Sequence, residues 1–250
     1  MAKRIIIPAR YASTRLKEKL LIEIRGKSIL EHTYDRALEC HFDSVMIATD
    51  DPRIMDLCAQ FKAPCCLTHD NHPSGTDRCA EAMVLNGYAD EDIILNLQGD
   101  EPLIPVENLL KVAENLEKHP DATVATLCEA LTEKTDIFNP NYVKVTFDKN
   151  NYALYFSRAP IPWARNEFPG EMSEELFFHR HIGLYGYRGH FLRQYPSLAQ
   201  SPQERIESLE QLRVLWHGYK IHVDLAPAPN PPGVDTLASL QAVRALIENT

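Results

Sequence analysis

Two periods of apolar residues run along this chain. Short runs dominated by Ile, Val and Leu read as strands buried on both faces, and between them apolar residues recur every three or four positions, as on helices with one core-facing stripe. The pattern predicts strands near 4–8, 44–49, 64–67, 92–97 and 123–128, and helices near 28–40, 52–60, 76–86 and 105–118. Strand and helix alternate, so the expected fold class is α/β with a doubly wound, mostly parallel sheet. From 136 to 188 the alternation gives way to antiparallel-looking runs at 142–147, 152–157 and 181–187 around Pro160-Ile161-Pro162. That stretch reads as an insertion within a single domain spanning 1–250. Helical spacing returns near 204–217 and 235–248, with a strand near 219–224 and a proline-rich loop at 227–232 between them.

Composition narrows the classes of partner. With 250 residues, 44% of them hydrophobic, the chain is long enough to bury one sizeable core. A net charge of -9 and a pI of about 5.6 argue against sequence-independent nucleic-acid binding and against a membrane surface, since both need extended positive potential. A small-molecule partner is expected instead. The six cysteines form no C-x-x-C pair, so they suggest neither a zinc site nor a disulfide framework. Reduced thiols, a start too short in apolar residues for a signal peptide and the lack of a membrane-length apolar stretch together predict a cytoplasmic protein.

Against that acidic background one basic segment stands out. Residues 1–21 carry Lys3, Arg4, Arg10, Arg15, Lys17 and Lys19 against a single acid, Glu18. A solvated basic loop is the plain reading of such a cluster. Its position directly after the first core strand, among the small residues Ala9, Ala12, Ser13 and Thr14, suits a polyanion such as phosphate, because that is where an open α/β sheet presents its ligand crevice. Gly26-Lys27-Ser28 lacks the upstream glycine of a P-loop and no G-x-G-x-x-G occurs, so neither standard phosphate fingerprint applies. A second candidate is Gln98-Gly99-Asp100-Glu101-Pro102 at the end of a buried strand, where Asp100 either holds Mg²⁺ or merely shapes a turn or caps a helix. A third is Gly233-Val234-Asp235-Thr236, where the plain reading of Asp235 is an N-cap for the last helix.

In order and combination, these segments resemble the 3-deoxy-manno-octulosonate (Kdo) cytidylyltransferases, also called CMP-Kdo synthetases. The resemblance is nearly chain-wide: IIPARYASTRL (6–16), ATDD (48–51), SGTDRCAE (74–81), LQGDEPLIP (97–105), FNPNYVKV (138–145), YALYFSRAPIPW (152–163), HIGLYGYR (181–188), ESLEQLRVLWHGYKIHV (207–223) and GVDT (233–236). It implies a Rossmann-like nucleotidyltransferase fold and transfer of CMP from CTP to Kdo, with release of pyrophosphate, ahead of lipopolysaccharide inner-core assembly. It also implies roles for particular residues. Arg10, Ser13, Arg15 and Lys19 hold the triphosphate, with Arg15 and Lys19 offsetting charge on the departing pyrophosphate. Asp100 and Asp235 hold Mg²⁺, while Ser74, Arg78 and Gln98 meet the nucleotide. Arg158, His181, Tyr185, Glu210 and Gln211 form the acceptor pocket, Arg158 facing the sugar carboxylate. A homodimer formed largely through the inserted region, burying the apolar residues of 152–163, is implied as well.

The family's loop usually runs R-L-P-G-K-P-L, whereas this chain has Arg15-Leu16-Lys17-Glu18-Lys19-Leu20-Leu21. Loss of both prolines and the glycine predicts a looser loop with Lys19 still engaged. The alternatives are a cytidylyltransferase for 8-amino-Kdo or a sialic acid, and a non-catalytic CTP-sensing module on the same fold. A metal pair of His179 and His181 is a further, weaker alternative.

Overall fold

The computed structural model describes residues 1–11, 16–168, 170 and 177–249. Its first strand, β1 (Lys3–Ala9), shows why the sheet is covered on both sides: Ile5 and Ile7 face one apolar cluster, with Leu30, Leu109 and Val112, while Ile6 faces another, with Cys79, Ala82 and Met83. A short ribbon, β2 (Glu23–Ile24) and β3 (Lys27–Ser28), leads into α1 (Ile29–Leu38), whose N-cap is Ser28. Then follow β4 (Ser44–Thr49), α2 (Pro52–Gln60), β5 (Cys65–Leu67), α3 (Gly75–Leu85), β6 (Ile93–Asn96) and α4 (Val106–Lys118). Capping side chains set two of these starts. Asp51 accepts from the Arg53 amide ahead of Pro52, and Ser74 accepts from the Asp77 amide.

The second half contains β7 (Val124–Leu131), α5 (Lys134–Ile137), β8 (Lys144–Phe147), β9 (Ala153–Ser157), β10 (Phe178–Arg188), α6 (Gly189–Gln194), α7 (Pro202–Glu207), α8 (Gln211–Trp216), β11 (Ile221–Leu225) and α9 (Leu237–Glu248). Among the described residues the main sheet runs β11-β7-β10-β6-β1-β4-β5, with β8 on β10 and β9 on β8. Pairing is parallel from β6 through β1 and β4 to β5, and again between β11 and β7. β10 alone lies antiparallel to both of its main-sheet neighbours.

Three differences from the sequence reading have physical causes. The stretch read as an insertion gives its last strand, β10, to the middle of the main sheet, a placement set by pairing with β6 and β7 far away in sequence. The helix expected over 204–217 is two helices, parted at Ser208, whose φ of 53° is left-handed. Across that break a buried ion pair holds α7 to α8, Arg213 Nε donating to Glu204 Oε2 at 2.9 Å. The last helix begins at Leu237, capped by Thr236. Among the described residues no helix is long and apolar enough to cross a membrane.

Candidate active site

Strand order reverses at β1: the chain runs outward to β4 and β5 on one side, then returns to place β6 on the other. The loops leaving the C-terminal ends of β1 and β6 therefore face one crevice, where open α/β sheets bind ligands. Lys19 opens a single 3-10 turn (Lys19–Leu21) after Glu18, whose φ of 53° is left-handed. Buried Leu20 anchors that turn in the core. From it the Lys19 ammonium donates to Asp100 Oδ2 and, at 3.1 Å, to Asp235 Oδ1. Neither acid is a helix cap. α4 starts only at Val106, after Pro105, and the cap of α9 is Thr236, one residue beyond Asp235. The loop carrying Asp235 is pinned to the β6 loop by the Val234 amide, which donates to the Asp100 carbonyl at 2.8 Å. Gly233 permits the approach, since a Cβ there would stand 2.7 Å from Glu101 Oε1.

Arg10 donates to the carbonyl oxygen of His72 and so links the β1 loop to the loop before α3. Ser13 and Arg15 lie outside the described residues. Ser74 is the N-cap of α3, and Gly75 brings that helix end against Gln98, whose Nε2 would be 3.3 Å from a Cβ. A buried polar chain continues from there. Gln98 Nε2 donates to Asn96 Oδ1 at 3.1 Å, Asn96 Nδ2 to Thr76 Oγ1 at 3.4 Å, and Thr76 Oγ1 to Glu210 Oε1 at 3.0 Å. The Tyr187 hydroxyl meets Thr76 Oγ1 at 3.2 Å. Gln98 and Glu210, expected on the nucleotide and acceptor sides, are thus joined through the Asn96 amide and the Thr76 hydroxyl.

His181 and Tyr185 flank an irregularity in β10, between Ile182 and Tyr185, where the register against β7 shifts. Bulges of this kind re-aim side chains beside active sites. Thr126 fills it, its Oγ1 lying 2.7 Å from the Leu184 carbonyl, to which it donates, and 2.9 Å from His181 Nε2. His181 Nε2–H then donates to Thr126, which fixes the neutral tautomer. Burial pushes the imidazole pKa down to about 3, so His181 is a neutral hydrogen-bonding group. The rings of His181 and Tyr185 lie 5.2 Å apart. His179 packs on Phe147 instead, at 4.9 Å.

Three expected site residues are placed apart from this cluster. The Arg78 side chain is fully buried, donating to Asp50 Oδ2 at 2.7 Å and Thr68 Oγ1 at 2.5 Å. Asp77 is buried as well. Arg158 donates to the carbonyls of Glu207 (2.7 Å) and Pro140 (2.9 Å), which leaves no paired fork facing a carboxylate. Gln211, the first residue of α8, is buried.

A family profile for cytidylyltransferases matches residues 4–221. The 3-deoxy-manno-octulosonate cytidylyltransferase of Francisella philomiragia subsp. philomiragia is 52% identical over 244 residues, covering 98% of each chain. That of Coxiella burnetii is 48% identical over 247 residues, covering 98% of this chain and 99% of its own. This chain belongs to the cytidylyltransferase family. The solved structure of a CMP:2-keto-3-deoxy-manno-octonic acid synthetase complexed with CTP matches with a TM-score of 0.91 at 40% identity, over 100% of this chain and 99% of that one.

For a cytidylyltransferase the chemical demand is charge neutralisation around a phosphate under attack, with little covalent work for the protein. Burial works against the Lys19 ammonium, but Asp100 and Asp235 outweigh it and hold the pKa above the usual lysine value. The same crowding acts oppositely on Glu101: burial first, then the charges of Asp100 and Asp235, push its carboxyl up to about 8. The donor set fits a hard divalent cation, since two carboxylate oxygens already converge on one positive charge and Asp235 is 44% exposed. Among the described residues no third His, Cys, Asp or Glu completes a cage. Mg²⁺ commonly takes its remaining ligands from water and phosphate. A cleft of about 380 Å³, lined by Glu101, Tyr142, Arg180, His181, Gly233 and Asp235 among others, opens beside these acids.

Sequence reasoning missed Thr76, Asn96, Tyr187 and Thr126 as the polar frame of the site. Thr76, Asn96 and Tyr187 each lie in or beside a segment that had been singled out, but threonine and asparagine at strand and helix ends carry no charge signal of their own.

Proposed function

We propose that this chain transfers CMP from CTP to Kdo, giving CMP-Kdo and pyrophosphate for lipopolysaccharide inner-core synthesis. The observation that carries the reading is the meeting of Asp100, Asp235 and Lys19 at the switch point of a chain similar throughout its length to a CTP-complexed synthetase. In this reading the anomeric hydroxyl oxygen of Kdo attacks the α-phosphorus. The new O–P bond forms as the α–β anhydride bond breaks, pyrophosphate leaves with that electron pair, and the hydroxyl proton passes to water.

The chain's own residues supply position and charge. Lys19 and Arg10, with Arg15 and Ser13, hold the triphosphate, while Ser74 and Gln98 face the nucleoside and Arg78 braces their turn from within. His181, Tyr185 and Glu210 present hydrogen-bonding groups to the sugar hydroxyls, and burial raises the Glu210 pKa. Gln211 adjoins Glu210 in the chain, and Arg158 requires rotation of its guanidinium to reach the sugar carboxylate. Asp100 and Asp235 would hold Mg²⁺, which when bound neutralises phosphate charge and lowers the pKa of the attacking hydroxyl.

A homodimer through 136–188 is part of this proposal, supported by exposed apolar side chains: Leu154 is 63%, Trp163 57% and Phe177 75% accessible. Leu154→Lys should shift the mass measured by light scattering from dimer towards monomer. Six free cysteines fit a reducing cytoplasm. The reaction itself is tested by pyrophosphate release with CTP, Mg²⁺ and Kdo, 8-amino-Kdo or N-acetylneuraminate. Release with another acid alone would replace the substrate and keep the mechanism, and CTP binding without release under any acceptor would leave a sensing module.

A further inference from the structure

We infer that Lys19 is the resident counter-ion of the metal site, giving up Asp100 and Asp235 for nucleotide phosphates when a divalent ion enters. The inference rests on the reading that these two acids take the ion. Its basis is geometric: the Lys19 ammonium sits on the Asp100 and Asp235 carboxylates, donating to Asp100 Oδ2 and, at 3.1 Å, to Asp235 Oδ1. An ammonium and a divalent ion cannot share those oxygens without strong repulsion. The Lys19 and Asp100 side chains are only 15% and 20% exposed, whereas Asp235 is 44% exposed, so an ion arrives from the Asp235 side.

The local structure lets the stem move while the backbone stays. Leu20 is 4% exposed and buried in the main core, which anchors the turn. Lysine's flexible four-carbon stem carries a point charge that can change partners without a fixed fork geometry. Lys19 offsets one of the two carboxylate charges. A divalent ion replacing it offsets both and frees the ammonium for incoming phosphates. Two consequences follow: a bare divalent ion competes with Lys19 and binds weakly, and CTP relieves that competition by offering Lys19 another anion. By linkage, the ion tightens CTP by the same factor.

The test is Mn²⁺ binding to the full chain, read as loss of the free-ion EPR signal, with and without CTP. Lys19→Met should bind Mn²⁺ about tenfold tighter than wild type without CTP, and the factor by which CTP tightens Mn²⁺ should shrink by a similar ratio. Lys19→Arg, which keeps the charge, should stay at the wild-type value or weaker. If Lys19→Met does not fold, Lys19→Gln carries the same expectation. Unchanged or weaker binding in the neutral variants overturns the exchange, as does equal tightening in Lys19→Arg. Adding Asp100→Asn to Lys19→Met should abolish the gain. If that double variant binds as tightly as Lys19→Met, the ion sits elsewhere, and the assignment of Asp100 to the metal fails along with the exchange.

Discussion

Two sides of the candidate site solve the same problem differently. On the side made by the loops after β1 and β6 and the start of α9, full charges meet within reach of solvent, Lys19 against Asp100 and Asp235. On the side made by β10, the start of α3 and Glu210, the groups are buried and joined by hydrogen bonds through Thr76 and Thr126. Charges that solvent reaches from the Asp235 side can change partners, which suits a ligand that brings phosphates and a cation. A buried network holds its members in place, because moving one strands another without a partner. A sugar recognised by its hydroxyls suits that rigidity.

Breaking the charged side should have the largest effect. Asp100→Asn keeps the shape and removes the charge, and the rate of pyrophosphate release should fall by roughly 10²–10³, as when a preorganised electrostatic group is lost. Thr76→Val attacks the other side. It leaves Asn96 Nδ2 and Glu210 Oε1 without their shared hydroxyl, so thermal unfolding should show a loss of about 1–3 kcal/mol. The KM for the sugar acid should rise in that variant while Mn²⁺ binding stays at the wild-type value.

The pH dependence of stability should sharpen the contrast, with opposite signs on the two sides. His181, held at about 3, binds no proton in the folded protein where the unfolded chain does. Its contribution is present above the unfolded value of about 6.5 and is lost as pH falls towards 3. His181→Gln should therefore flatten the fall in Tm below pH 6.5. Glu101, held up at about 8, keeps its proton in the folded protein where the unfolded chain has released it. Its contribution is present below about 4.5 and is lost as pH rises through 8. Glu101→Gln should flatten that decline, the smallest of these effects because Lys19 and Arg180 partly offset the acids around it.

The charged side was the more legible one. Lys19, Asp100 and Asp235 announce themselves as charges in loops beside buried strands, and the run Ile5-Ile6-Ile7 located the first of those strands from composition alone. The cap reading of Asp235 failed because Thr236, the next residue, offers a hydroxyl that takes the capping bond with Ser239. Arg78 was misplaced for a different reason. Nothing local shows that Asp50 and Thr68, from other loops, close over its guanidinium. Lys144, in β8, is likewise buried by groups from outside its strand, its ammonium on the carbonyls of Asn139 (2.9 Å) and Arg158 (2.6 Å). β10 shows the same limit at the scale of the sheet, since an antiparallel strand in the middle of a parallel sheet is decided by its partners rather than by its own pattern.

The most direct measurement of the central claim is pyrophosphate release by the purified protein with CTP and Mg²⁺, with and without Kdo, in wild type and Asp100→Asn. The account predicts release that requires Kdo and falls by about 10²–10³ in the variant. Release at the same rate in Asp100→Asn, or none in wild type with Kdo and CTP present, would contradict it.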